Sequence, residues 1–223
     1  MIKSLLDISD LSEQQARSIL NVNDNNKFLN GKNIGLIFEK YSTRTRLSFL
    51  IGINDLGGNA INLRLDELNI SREETFEDTF RTMNCYLDGL IYRTTDHEKL
   101  IKASNFFKKP IINALSDKSH PCQAISDMYT LNEHFGSLNI EILWMGDMNN
   151  VCFSLVQLAN LISEIKITIC SPKLITDNIN WKFNNNVKLI NDTSEINLND
   201  IKCVMTDVFI SMNDEKNQIK INS

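Results

Sequence analysis

The chain has 223 residues, of which 42% are hydrophobic and 23% charged, with a formal net charge of -5 and a pI near 5.3. This is a folded globular composition with apolar material for one large core or two small ones, and it argues against a disordered chain. No segment concentrates Lys and Arg, which argues against nucleic-acid binding, so an anionic substrate has to be captured by a local basic site.

Five cysteines form an odd set without a C-x-x-C pair. They indicate neither a disulfide framework nor a zinc ribbon, and reduced thiols in the cytoplasm are expected. The start, Met1-Ile2-Lys3-Ser4-Leu5-Leu6-Asp7, lacks an uninterrupted signal-peptide core. No run approaches the roughly 20 apolar residues that a membrane span needs, so no membrane association is expected.

In chain order, Ser9 or Ser12 starts a first helix, with Glu13 as a capping partner. A strand is predicted over 33–38, then a helix from Thr43 to Leu56 that stops at Gly57-Gly58. Further strands are expected over 60–63, 89–92, 110–113, 140–145, 165–170 and 201–206. The intervening helices are 74–87, 98–107, 121–135 and 150–163, with Pro121 suited to a first helical turn. Residues 178–186 are polar enough to form a loop around Trp181. Alternation of this kind reads as βαβ units and parallel sheets, hence an α/β fold.

Three segments carry chemistry. Ser42-Thr43-Arg44-Thr45-Arg46 follows the apolar run Ile34-Gly35-Leu36-Ile37-Phe38, which places hydroxyls, a guanidinium and a helix start at one strand end. Backbone N–H groups and the positive end of the helix dipole suit an oxyanion there, and an arginine fork suits phosphate. The second segment is His120-Pro121-Cys122-Gln123, whose His and Gln lie three apart at a helix start and project from one side. The third is Gly146-Asp147-Met148-Asn149-Asn150, a strand-to-helix turn rich in capping residues. Taken singly, each segment could be an ordinary capped surface helix or strand end.

Together and in this order, the segments resemble the aspartate/ornithine carbamoyltransferase family, whose phosphate loop reads S-T-R-T-R and whose second signature reads H-P-x-Q. Phe38-Glu39-Lys40 before the loop, the Asn149-Asn150 pair and Thr206-Asp207-Val208-Phe209-Ile210-Ser211-Met212 resemble its ornithine branch. The last of these looks like D-x-W-x-S-M-G, with Phe209 and Asn213 departing from that pattern.

The resemblance implies two Rossmann-like domains with parallel sheets: residues 1–135 for carbamoyl phosphate and residues 136–223 for ornithine, the second one incomplete. It implies carbamoyl transfer from carbamoyl phosphate to L-ornithine, without cofactor or metal, in a homotrimer. Ser42, Thr43, Arg44 and Thr45 would hold the phosphate. Arg93 and His120 would complete the electrophilic cluster as catalytic residues, and Gln123 would recognise the carbamoyl nitrogen. Asn69 stands where the family usually places a glutamine reaching into a neighbouring subunit. Asn150, Asp207, Ser211 and Met212 match the ornithine contacts. An H-C-L-P turn and a closing helix are not found before Ser223. Two alternatives stay open: a shortened inactive paralogue that binds carbamoyl phosphate or a complete subunit, and a carbamoyltransferase for another ornithine-like amino acid.

Overall fold

The computed structural model describes residues 4–22, 26–64, 66, 68, 74–177 and 179–207. Packing divides the chain into two compact units, residues 1–11 with 22–122 and residues 12–21 with 123–223. The sequence placed its break after Phe135; the packing groups the first helix and most of the His-Pro helix with the second unit. The first helix, α1 (Glu13–Leu20), begins at Ser12, whose side chain accepts from Gln15 N while Gln15 accepts from Ser12 N. The capping partner is therefore Gln15 and not Glu13, because a capping box closes at the third helical position. Glu13 instead pairs with Arg17 one turn on.

The first unit contains β1 (Asn33–Phe38), α2 (Thr43–Asp55), β2 (Asn59–Leu63), α3 (Phe76–Tyr86), β3 (Gly89–Arg93), α4 (His97–Phe106) and β4 (Ile111–Leu115). Its strands are all parallel, in the order β2-β1-β3-β4. Alternation along β1 and β3 sorts the core into two layers. Ile37, Leu90 and Tyr92 pack with Phe80 and Met83 of α3 and Leu100 and Ala103 of α4. Leu36, Phe38 and Ile91 pack on the other face with Ile53 of α2.

Helix α2 ends as the Gly57-Gly58 pair predicts. Gly57 adopts φ 83°, its N–H donates to Asn54 O, and Gly58 N–H donates to Ile53 O, the paired hydrogen bonds of a Schellman stop. At the far edge of the sheet, Leu5 extends the ladder, donating to Ile111 O and accepting from Asn113 N.

The second unit contains α5 (Pro121–Phe135) from its third residue onward, β5 (Ile140–Met145), α6 (Asn150–Leu161), β6 (Ile165–Cys170), α7 (Lys173–Thr176), β7 (Val187–Ile190) and β8 (Ile201–Met205). Its sheet is again parallel, in the order β7-β6-β5-β8. Strand β7 was not anticipated, since its four residues follow a run of asparagines and offer little alternation. Residues 179–186 are irregular, with the Trp181 ring centred 5.0 Å from that of Phe153 and tilted 57° to it.

Both sheets reverse their strand order beside the first strand, between β1 and β3 in one unit and between β5 and β8 in the other. Open parallel sheets bind ligands beyond the carboxyl ends of the strands that flank such a switch. The three chemical segments of the sequence fall at or beside these strand ends.

Candidate active site

Arg93 ends β3 at the switch point of the first unit. Its Nη1 donates to Ser42 Oγ at 3.3 Å and to Thr45 Oγ1 at 3.2 Å, which joins the end of β3 to the loop and helix start that follow β1. The residue is 5% exposed, and its buried Nε has no hydrogen-bond partner among the described residues. Burial lowers the Arg93 pKa from its ordinary value, but a guanidinium remains cationic at neutral pH. A desolvated cation with a donor to spare suits a small anion.

Ser42 is the N-cap residue of α2 by position, at φ -155° and ψ 111°, yet its side chain makes no capping bond. No acidic residue lies in the first turn of this helix. The first-turn N–H groups and the positive helix end therefore face the strand ends without an opposing carboxylate of their own. Thr43 and Arg44 are exposed at this turn. Arg46 is drawn off instead, its guanidinium lying 5.4 Å from the centre of the Phe38 ring.

His120 lies beyond β4, the neighbour of β3, and is buried at 8% exposure. A polar knot shapes the loop that carries it. Asn113 Nδ2 donates to Leu6 O at 2.9 Å and to Ser119 Oγ at 3.2 Å, and Asn113 Oδ1 accepts from Leu115 N. His97 Nδ1 lies 2.8 Å from Ser116 Oγ, and Lys118 pairs with the buried Asp7 at 3.3 Å. Burial pulls the His97 pKa down, so its imidazole stays neutral in this knot.

In the second unit, Asn149 caps α6, its Oδ1 accepting from Val151 N and Cys152 N. Its Nδ2 donates to Asp207 Oδ2 at 2.8 Å, across the switch point between β5 and β8. Asn150 is half-buried next to it, and its backbone carbonyl accepts from Ser154 Oγ. Gln123, exposed on the first turn of α5, donates from Nε2 to Asp127 Oδ1 at 2.7 Å. Burial raises the Asp127 pKa, the Gln123 bond opposes this, and the charge of Asp207 adds to the rise.

The structure thus brings Ser42, Thr45 and Arg93 together, with Thr43 and Arg44 on the same helix start and His120 beyond the adjacent strand. It joins Asp207 to Asn149, a residue the sequence reading passed over in favour of its neighbour; the doubled Asn was the available signal. Asp127, one turn after Gln123, is tied to it by the hydrogen bond from Gln123 Nε2. Asn69, Ser211 and Met212 lie outside the described residues.

Four of the thiols are shifted away from the reactive thiolate form. Burial pushes Cys122 up to about 12 and raises Cys152, Cys170 and Cys203 as well. Among the described residues, no group of three or more His, Cys, Asp and Glu is placed to hold a metal ion. None of their helices is long and apolar enough to cross a membrane.

Comparison with known proteins adds to this geometry. Residues 2–133 match the family model described as aspartate/ornithine carbamoyltransferase, carbamoyl-P binding domain. Residues 138–222 match the Asp/Orn binding domain of the same family. A relative from Methanocorpusculum labreanum named ornithine carbamoyltransferase is 40% identical over 230 residues, covering 96% of this chain and 75% of the relative. Another of the same name from Aquifex aeolicus is 37% identical over 239 residues, covering 99% of this chain and 78% of the relative. The crystal structure of anabolic ornithine carbamoyltransferase from Campylobacter jejuni superposes with a TM-score of 0.85 at 31% identity, over 97% of this chain and 76% of that one. With both domain models matched in order and both parallel sheets in place, this chain belongs to the aspartate/ornithine carbamoyltransferase family.

Proposed function

We propose that the protein transfers the carbamoyl group of carbamoyl phosphate to the side-chain amine of L-ornithine, giving L-citrulline and phosphate. The observation that carries this reading is the buried Arg93 guanidinium, hydrogen-bonded to Ser42 and Thr45 beside the uncapped start of α2. In the reaction, the neutral amine attacks the carbonyl carbon and a C–N bond forms, the C–O bond to phosphate breaks with its electron pair leaving on the phosphate, and the proton shed by the attacking nitrogen ends on the departing phosphate. Charge that builds on the carbonyl oxygen needs fixed donors, and the departing phosphate needs a cationic cradle.

Ser42, Thr43, Arg44, Thr45 and the first-turn N–H groups of α2 form the cradle in this reading. Arg93 and His120 polarise the carbonyl, and Gln123 addresses the carbamoyl nitrogen. Asp207 with Asn149 and Asn150 holds the amino-acid end, joined by Ser211 and Met212; Asn69 reaches the carbamoyl phosphate of a neighbouring subunit. Residues 1–135 act as the carbamoyl-phosphate part and residues 136–223 as the ornithine part. No cofactor or metal takes part.

Ornithine is favoured over aspartate because the amino-acid end offers a carboxylate and amides, whereas a second substrate carboxylate would call for added cations. A homotrimer is proposed as well: Leu47 and Ile51, one turn apart on α2, are 50% and 57% exposed, and Tyr41 is 97% exposed. Such a patch of apolar side chains beside a site suits a subunit contact. The reading places the protein in the cytoplasm and in arginine biosynthesis.

A colorimetric citrulline assay on the purified chain, with ornithine or aspartate as acceptor, tests the proposal. Carbamoylation of ornithine is expected. Carbamoyl-aspartate as the main product would overturn the choice of substrate, and light scattering of the same sample would report the trimer.

A further inference from the structure

Glu39 stands one residue past β1, outside the groups assigned above. Its carboxylate accepts from Tyr92 Oη at 2.7 Å and from Thr94 Oγ1 at 2.8 Å, and Lys99 Nζ lies 3.3 and 3.2 Å from its two oxygens. The side chain keeps 12% of its exposure. Its backbone N–H donates to Arg93 O at 3.0 Å.

Tyr92 and Thr94 bracket Arg93 in the chain. By strand alternation they point to the α3 and α4 side, while Arg93 points to the α2 side and reaches Ser42 and Thr45. The carboxylate therefore ties down both neighbours of Arg93 from the opposite face of the sheet. This tie falls where the sheet itself is irregular, since the ladder between β3 and β4 shifts register between Tyr92 and Arg93. A strand end whose regular pairing breaks at the functional residue gains its precision from side-chain bonds.

Stability alone does not call for this charge. Burying a carboxylate carries a desolvation penalty, and a well-packed apolar side chain of similar size often serves the fold as well or better. Burial and the charge of Glu39 both raise the Tyr92 pKa, so the phenol stays protonated and keeps donating.

We infer that Glu39 is a positioning residue for Arg93, fixing the end of β3 so that the guanidinium is held against Ser42 and Thr45 before the substrate arrives. The inference rests on the reading of this cluster as the carbamoyl-phosphate site. Tight placement of such groups is what lets them act on a transition state without reorganising.

A double-mutant cycle tests it, with carbamoyl phosphate titrated calorimetrically into folded chains of these 223 residues. Glu39→Gln is expected to weaken binding by about fivefold or more when Arg93 is present and by less than about twofold in an Arg93→Ala background, the non-additivity of two residues acting as one unit. Tyr92→Phe, a milder change that removes one donor to Glu39, is expected to show the same pattern with a smaller factor and serves if the first variant does not fold. Equal factors in both backgrounds, or unchanged affinity in the Arg93 background, would overturn the inference while leaving the site reading intact. No binding to the unmutated chain would overturn both.

Discussion

Asn149 and Asp207 are joined by a 2.8 Å hydrogen bond although 58 positions separate them in the chain. The bond spans the gap between β5 and β8 and mirrors the contact that Arg93 makes with Ser42 and Thr45 in the first unit. Asn149 thereby serves two masters, capping α6 with its oxygen and holding Asp207 with its nitrogen.

Replacing it separates the two roles. Asn149→Ala is expected to lower stability by about 1 kcal/mol through loss of the cap. Asn149→Asp retains a capping oxygen but sets a second carboxylate against Asp207, so it should keep thermal stability closer to the parent. Both variants are expected to lose the thermal protection given by norvaline in the presence of carbamoyl phosphate. Retained protection in the aspartate variant would remove Asn149 from the amino-acid site.

Arg44 is exposed on the first turn of α2, so its removal tests the phosphate cradle with little cost to folding. A charged hydrogen bond contributes about 1.5 to 3 kcal/mol. Arg44→Ala is therefore expected to weaken carbamoyl phosphate at least about tenfold, with the melting temperature of the free protein nearly unchanged. Calorimetric titration and thermal melting of the same sample check both halves.

The raised pKa of Asp127 makes stability depend on pH in a definite direction. Its folded value lies above the ordinary 3.8, so in the window above that value the folded state binds more protons than the unfolded state. Stability from this group accordingly falls as pH rises through the window. Asp127→Asn removes the penalty and retains an oxygen to accept from Gln123. The variant is expected to gain stability relative to the parent at pH 7 and to show less gain at pH 4, as read from urea midpoints. A gain that is larger at pH 4 would contradict the assignment.

Thiol reactivity gives an independent check on the packing. Cys85 is exposed, whereas Cys152 and Cys170 are buried and Cys122 is pushed up to about 12. Brief treatment with iodoacetamide is expected to alkylate Cys85 first and to leave Cys122 and Cys152 unmodified until the protein is unfolded. Peptide mass spectrometry reads the order.

Much of this arrangement is legible in the chain because local chemistry dictates it. The apolar run before Ser42, the double glycine after α2 and Pro121 at a helix start specify strand, stop and start by themselves. Other features depend on the path of the chain in space. Which of two adjacent asparagines caps α6 is decided by the loop that follows β5, and only the folded turn sets Asn149 within reach of Asp207. Strand β7 is recognisable through its pairing with β6, not through its four residues. The grouping of α1 and α5 likewise arises from tertiary contacts such as Asn132 Nδ2 donating to Leu20 O.

The uncapped start of α2 has a thermodynamic corollary. With the Ser42 hydroxyl engaged by Arg93, an anion seated there would itself supply the acceptor that a capping side chain supplies elsewhere. Ligand affinity and the fraying equilibrium of that first turn then become two readings of one quantity. Amide hydrogens at the opening of α2 should exchange quickly in the free protein and slow down in step with occupancy, which makes the helix its own reporter of substrate.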